Sequence, residues 1–180
     1  MTPNIIRVKV DEVSQLFNTF DPTPFRERDV DGEAEEFIVD WARELPQGQP
    51  LRIVIYVRDA QAQKISPAQV KEALSSYFAY RANILSKELK ELFHVGRLSF
   101  AIGLTILALG TMLSHSAMTF FGNGEIGRYA SEGLSILGWV ANWKPMEIFL
   151  YDWWPLARRR NLYLRLSQAG VDVRDATVLV

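Results

Sequence analysis

The sequence predicts a small α/β or α+β cytosolic domain joined to a two-helix transmembrane hairpin. Three observations lead to this prediction. Residues 98–121 contain no Asp, Glu, Lys or Arg, and residues 131–154 form a second apolar segment. Apolar and polar residues alternate near the N-terminus, and a short apolar run follows at 51–57, as in strands. Basic residues flank the two apolar segments and are scarce between them.

Residues 1–65 are predicted to form the α/β domain. Apolar residues at positions 6, 8 and 10 alternate with charged ones, which predicts an early strand. Residues 31–44 predict a helix with acidic residues in its first turn, and its apolar face includes Phe37, Ile38 and Trp41. The run Leu51–Val57 is the strongest strand signal in the chain.

Residues 66–97 are predicted to form an amphipathic helix that leads to the membrane. Ser66 is a capping residue, Pro67 suits the first helical position, and Gln69 completes a capping box. Gly96 is the only strong breaker before the first apolar segment, so the helix is expected to continue into it. Residues 155–180 predict a basic helix and a tail strand, and the sequence leaves open whether that strand joins the N-terminal sheet.

Residues 98–121 are the first predicted transmembrane helix, since about 24 residues at about 1.5 Å each cover roughly 36 Å. Residues 122–130 are the predicted external turn, and residues 131–154 are the second transmembrane helix. This second segment carries Glu132, Lys144, Glu147 and Asp152. It either spans fully, with Lys144 near mid-depth, or spans only 126–143, with Lys144 at the interface and 146–154 along the membrane surface.

The basic residues set the predicted orientation. Cations precede the first span and follow the second, whereas the turn between them carries only Arg128. Because cytoplasmic loops are enriched in Lys and Arg, both termini are expected in the cytoplasm. The flanking cations are Arg81, Lys87, Lys90, Arg97, Arg158, Arg159, Arg160 and Arg165.

Small residues form a stripe on each apolar segment. Such stripes allow close helix packing in lipid, so they indicate either the contact between the two helices of one chain or a homo-oligomer seam. The first stripe is Gly103, Gly110 and Ala117, and the second is Ser131, Ser135, Gly138 and Asn142.

Composition excludes several classes of function. The chain of 180 residues has no cysteine, which excludes disulfides, thiol catalysis and cysteine-ligated metals. Its net charge of −1 gives no global field for nucleic acid. No phosphate-binding loop, nucleophile elbow or zinc-protease motif is present, and no N-terminal signal peptide is recognisable. No enzyme activity, cofactor or metal is therefore expected.

Three groups of residues are the candidate functional positions. The loop with two prolines is the candidate partner-docking element, Lys144 and Glu147 are a candidate intramembrane polar pair, and a Trp-Arg segment is expected to meet anionic headgroups at the membrane interface. The loop residues are Asp21, Phe25, Arg26 and Arg28, and those of the Trp-Arg segment are Trp153, Trp154, Arg158, Arg159 and Arg160.

Two stretches, FDPTPFRERDVDGEAEEFIVDWARELP and MEIFLYDWWPLARRRNLYLRL, resemble a family of bacterial membrane proteins with no assigned activity. The similarity covers most of the chain and implies a bacterial inner-membrane setting. It brings no catalytic residues with it. The sequence thus predicts an interaction or regulatory membrane protein, either a homo-oligomer or bound to a protein partner. The alternative is an oligomeric ion or proton conductor, or a transport accessory, that uses Lys144 and Glu147.

Overall fold

The computed structural model describes residues 4–18, 29–46, 48–59, 66–121 and 124–176. The chain divides into an α/β unit, Met1–Leu85 with Arg158–Val180, and a helical unit, Ser86–Ala157. The elements in chain order are β1 (Asn4–Lys9), a 3₁₀ helix (Val13–Leu16), α1 (Gly32–Glu44), β2 (Leu51–Val57), α2 (Pro67–Phe121), α3 (Glu125–Ala141), α4 (Trp143–Glu147), a π-helical turn (Ile148–Asp152), α5 (Trp153–Ser167) and β3 (Gly170–Asp175).

The α/β unit contains a parallel three-stranded sheet in the order β1-β2-β3. β2 lies in the centre, and all of its side chains except that of Arg52 are buried. A near-continuous apolar strand is typical of a parallel sheet covered on both faces. The α/β class predicted for this unit is therefore confirmed, and the tail strand does join the sheet, beside β2 and not beside β1.

Three helices contribute to the core of the α/β unit. α1 buries Ile38, Val39 and Ala42, and further apolar residues of α2 and α5 are buried with them. The predicted capping box at the start of α2 is present, because the Ser66 backbone N–H donates to Gln69 Oε1 (3.0 Å) and the Gln69 N–H donates to Ser66 Oγ (3.3 Å).

One expectation about α1 is wrong. Phe37 and Trp41 were expected on its core face, but they are 43% and 46% exposed. The buried residues at 38, 39 and 42 define the inner face, and at about 100° per residue positions 37 and 41 lie more than a quarter turn from the centre of that face. An aromatic pair at i and i+4 therefore marks the outer face of this helix.

In the helical unit, α2 passes Gly96 without a break and packs antiparallel against α3. A Cβ atom at Gly103 would lie 2.8 Å from the Ala141 carbonyl oxygen, and one at Gly110 would lie 2.9 Å from that of Leu134. The small-residue stripes thus form a contact within one chain, the first of the two alternatives. The Ala117 side chain lies outside the described residues.

The segment 131–154, predicted as the second transmembrane helix, is divided into several helical elements. α3 begins at Glu125, inside the predicted turn, and ends at Ala141. The Asn142 side-chain amide donates to the carbonyl oxygens of Gly138 (2.9 Å) and Gly103 (3.0 Å), so it competes with helix continuation. Pro145 and Pro155 also lack the N–H that a regular helix would use, and the π-helical turn lies between them.

Among the described residues, α2 is the one helix long and apolar enough to cross a membrane, a finding that rests on length and composition. Only 11% of its most apolar 18-residue window is buried within the chain. α3, with 17 residues, is shorter.

Candidate functional site

A carboxylate cluster joins three helices of the α/β unit. Glu35 on α1 accepts a hydrogen bond at Oε2 from the Tyr77 hydroxyl and another at Oε1 from the Tyr163 hydroxyl, both at 2.5 Å. Arg81 Nε donates to Glu35 Oε1 at 3.1 Å, and the Arg81 guanidinium lies 5.8 Å from the centre of the Tyr163 ring. Tyr77 and Arg81 are one turn apart on α2, so they reach the same carboxylate. We call these four residues the Glu35 cluster.

The electrostatics of the Glu35 cluster favour one protonation state. Burial raises the pKa of Glu35, whereas the hydrogen bonds from both tyrosines and the charge of Arg81 lower it. The lowering outweighs the effect of burial, so the pKa of Glu35 lies below its ordinary value of 4.5. Burial and the adjacent carboxylate raise the pKa of Tyr77 and of Tyr163. Glu35 is therefore ionised and both tyrosines are protonated at neutral pH.

The Glu35 cluster is suited to holding three helices together. Both carboxylate oxygens accept hydrogen bonds from donors on α2 and α5, so the carboxylate links α1 to these two helices. Sequence reasoning missed the cluster because Glu35 lies 42 residues from Tyr77 and 128 residues from Tyr163. No local spacing signals such a contact.

Lys144 makes the contact that the sequence predicted and one more. Its Nζ lies 3.1 Å from Glu147 Oε2 and 3.4 Å from Asp152 Oδ2. Asp152, at the end of the π-helical turn, is eight residues from Lys144 and was not expected to join the pair. Lys144 is exposed, and Glu147 and Asp152 are half-buried, so the three form a surface ion-pair network within this chain.

Trp153 is the best-anchored residue of the Trp-Arg segment. Its indole N–H donates to the Phe149 carbonyl oxygen at 3.0 Å, and its ring lies 6.2 Å from that of Phe93 and 5.7 Å from that of Trp154. Trp154 is 57% exposed. Further along α5, Arg158 and Arg159 are exposed, and Arg160 donates to Asn161 Oδ1 at 2.9 Å.

The predicted docking residues Asp21, Phe25, Arg26 and Arg28 lie outside the described residues.

The outer face of α1 forms a shallow hollow of about 440 Å³. Its two exposed aromatic rings, Phe37 and Trp41, have centres 6.2 Å apart. The sequence carried a signal for this exposed face, because acidic residues recur at helical spacing around both aromatic residues. The lining residues are Glu33, Glu36, Phe37, Asp40, Trp41 and Glu44.

Within the described ranges, no three His, Asp or Glu side chains are grouped so that they could hold a metal ion. No family model, curated protein or solved structure matches this chain. Evidence for its function therefore comes from its own residues and geometry.

Proposed function

We propose that the protein is a membrane-anchored, cytosol-facing interaction or regulatory protein without catalysis. The observation that carries this proposal is the composition of α2. Its N-terminal part buries Val70, Leu74 and Phe78 in the α/β unit, whereas its apolar part after Leu98 is largely exposed within the chain. A helix of a soluble protein would bury such a surface, and a bilayer provides the alternative.

Charge supports the cytosolic orientation of the α/β unit. Several cations precede the apolar part of α2, and four arginines follow on α5, whereas the predicted turn over 122–130 carries only Arg128. Under the positive-inside rule this distribution favours cytoplasmic termini. A bacterial inner membrane, which the resemblance to bacterial membrane proteins implies, is part of the proposal.

We propose α3 as the second crossing. Its 17 residues cover about 26 Å at about 1.5 Å per residue, close to the roughly 30 Å of a hydrocarbon core. The end of α3 at Ala141 supports the placement in which Lys144 lies at the interface. Trp143, Trp153 and Trp154 then lie at headgroup depth, where tryptophan is enriched, and Arg158, Arg159 and Arg160 are near anionic lipid.

Single-cysteine labelling tests this proposal, because the native chain has no cysteine. Cysteines at positions 123, 144, 147 and 158 are treated with a membrane-impermeant thiol reagent on intact cells and after lysis. We expect labelling at 123 from outside, and labelling at the other three positions only after lysis. Labelling of position 158 from outside would contradict the cytosolic orientation.

The second candidate is an oligomeric ion or proton conductor that uses Lys144 and Glu147. The observation in its favour is that Lys144 contacts two carboxylates, Glu147 and Asp152. This candidate requires the network to lie in the bilayer, with positions 144 and 147 shielded even after lysis. It also predicts ion or proton flux in proteoliposomes that is lost in Lys144→Ala and kept in the control Lys90→Ala.

A further inference from the structure

We propose that the outer face of α1 docks a basic segment of a protein partner, with a large apolar side chain of that segment seated between Phe37 and Trp41. This surface, which we call the α1 outer face, consists of Glu33, Glu36, Phe37, Asp40, Trp41 and Glu44. The inference rests on the proposed function, because it names the surface and the partner chemistry of an interaction protein.

The first argument is the exposure of two aromatic rings on an otherwise polar helix face. Phe37 and Trp41 contact each other, with ring centres 6.2 Å apart, and neither enters the core that Ile38, Val39 and Ala42 fill. Leaving such rings in water forgoes the free energy of their burial, and exposed aromatics are enriched where proteins bind one another. The hollow beside the rings offers room for an apolar side chain.

The second argument is the charge around these rings. Asp40 pairs with Arg43, whose Nη1 lies 2.8 Å from Asp40 Oδ1. Glu33, Glu36 and Glu44 have no cationic partner within the described part of the chain. Three carboxylates therefore surround an apolar centre and are complementary to lysine or arginine side chains.

The same charges argue against two other occupants. An anionic membrane surface would be repelled by the carboxylates, so the α1 outer face differs from the arginine-rich segment of α5. A second copy docking by the same face would place four acidic residues opposite four acidic residues, which is unfavourable. A basic amphipathic helix with one large apolar anchor satisfies both the rings and the carboxylates.

A labelled peptide tests this proposal on the full chain in zwitterionic nanodiscs. The probe is an 18-residue helical peptide with a central Leu, flanked by lysines on the same face, and its matched counterpart carries Glu at every Lys position. Fluorescence anisotropy measures both affinities. We expect the lysine peptide to bind and the glutamate peptide to bind at least about tenfold more weakly, because only the lysines complement the carboxylates.

Variants assign the binding to the α1 outer face. Trp41→Ser should weaken peptide binding by about tenfold or more, as expected for a central aromatic anchor. The double variant Glu36→Gln and Glu44→Gln should also weaken peptide binding and should reduce the salt dependence of the affinity. Tyr80→Ser, which removes an even more exposed aromatic ring, on α2, should leave affinity unchanged.

Unchanged affinity in Trp41→Ser would overturn the proposal, since the peptide would then bind the protein's charge elsewhere. Crosslinking between copies through a cysteine at position 36 would also overturn it, in favour of a second copy. Both results are independent of membrane topology. Failure here is therefore distinguishable from failure of the cysteine-labelling experiment.

Discussion

Replacing Glu35 by Gln should destabilise the α/β unit, because it removes the charge that three donors of two other helices share. The Glu35 side chain is 14% exposed and accepts hydrogen bonds from Tyr77, Tyr163 and Arg81. A hydrogen bond to a charged group contributes about 1.5–3 kcal/mol and a neutral one about 1 kcal/mol, so weakening the two tyrosine bonds should cost about 2 kcal/mol. We leave Arg81 out of this sum because its side chain is 37% exposed and regains water.

Pulse-labelling hydrogen exchange at increasing urea concentration measures this loss on the full chain in detergent. The amides of β2 are the reporter, since β2 is the central strand of the sheet. The matched control is Asp40→Asn, which removes an acid of the same helix whose partner Arg43 is at the surface. Its cost should stay below about 1 kcal/mol, as for exposed ion pairs.

The effect should also depend on pH. The pKa of Glu35 is lower in the folded state than its ordinary value of 4.5, so its stabilisation is fully present above that value and is lost as the pH falls through the folded-state pKa. Glu35→Gln should lack this part of the acid sensitivity. Equal losses in Glu35→Gln and Asp40→Asn, or identical acid profiles of Glu35→Gln and wild type, would refute the reasoning.

Two further substitutions test the packing of α2. Gly110→Val should lower the thermal stability of the helical unit, since even a Cβ atom would lie 2.9 Å from the Leu134 carbonyl oxygen; overpacking of this kind costs about 1–3 kcal/mol. Tryptophan emission reports it, and Gly133→Val, where a Cβ meets nothing within 4 Å, is the control. Ser66→Ala should cost about 1 kcal/mol by removing the cap of α2, measured by amide exchange in its first turn. The exposed Ser76→Ala should cost less, and equal effects of the two serine changes would argue against the cap.

Local signals predicted the elements of this chain well. The apolar run of β2 and the Ser66–Gln69 capping box lie within a few residues each, so propensity and spacing are sufficient to identify them. The small-residue stripes likewise predicted where α2 and α3 touch. These features need only the periodicity of one helix or one strand.

Contacts between distant residues and the choice of helix face were not accessible in the same way. Tyr163 reaches Glu35 across 128 residues, and neither residue has a distinctive local context. α1 carries apolar residues on two faces, so sequence alone assigned Phe37 and Trp41 to the core when Ile38, Val39 and Ala42 fill it. The break after α3 had a signal, because Pro145 lacks the N–H that a regular helix would pair with the carbonyl oxygen of Ala141, the last residue of α3.

In the proposed topology, the division of the second apolar segment at Asn142 coincides with the position of its ionisable residues. A helix that ends inside hydrocarbon leaves backbone carbonyl groups without partners, and each of them is costly there. α3 ends at Ala141 and helical backbone resumes at Trp143, and the Asn142 side-chain amide donates to the Gly138 carbonyl oxygen at this junction. The charged residues Lys144, Glu147 and Asp152 all follow the interruption and none precedes it within residues 133–143. Irregular backbone and charged side chains are both tolerated at headgroup depth. In the proposed topology the chain therefore leaves the hydrocarbon core near Asn142, and a cysteine at position 144 that stayed shielded after lysis would contradict this placement.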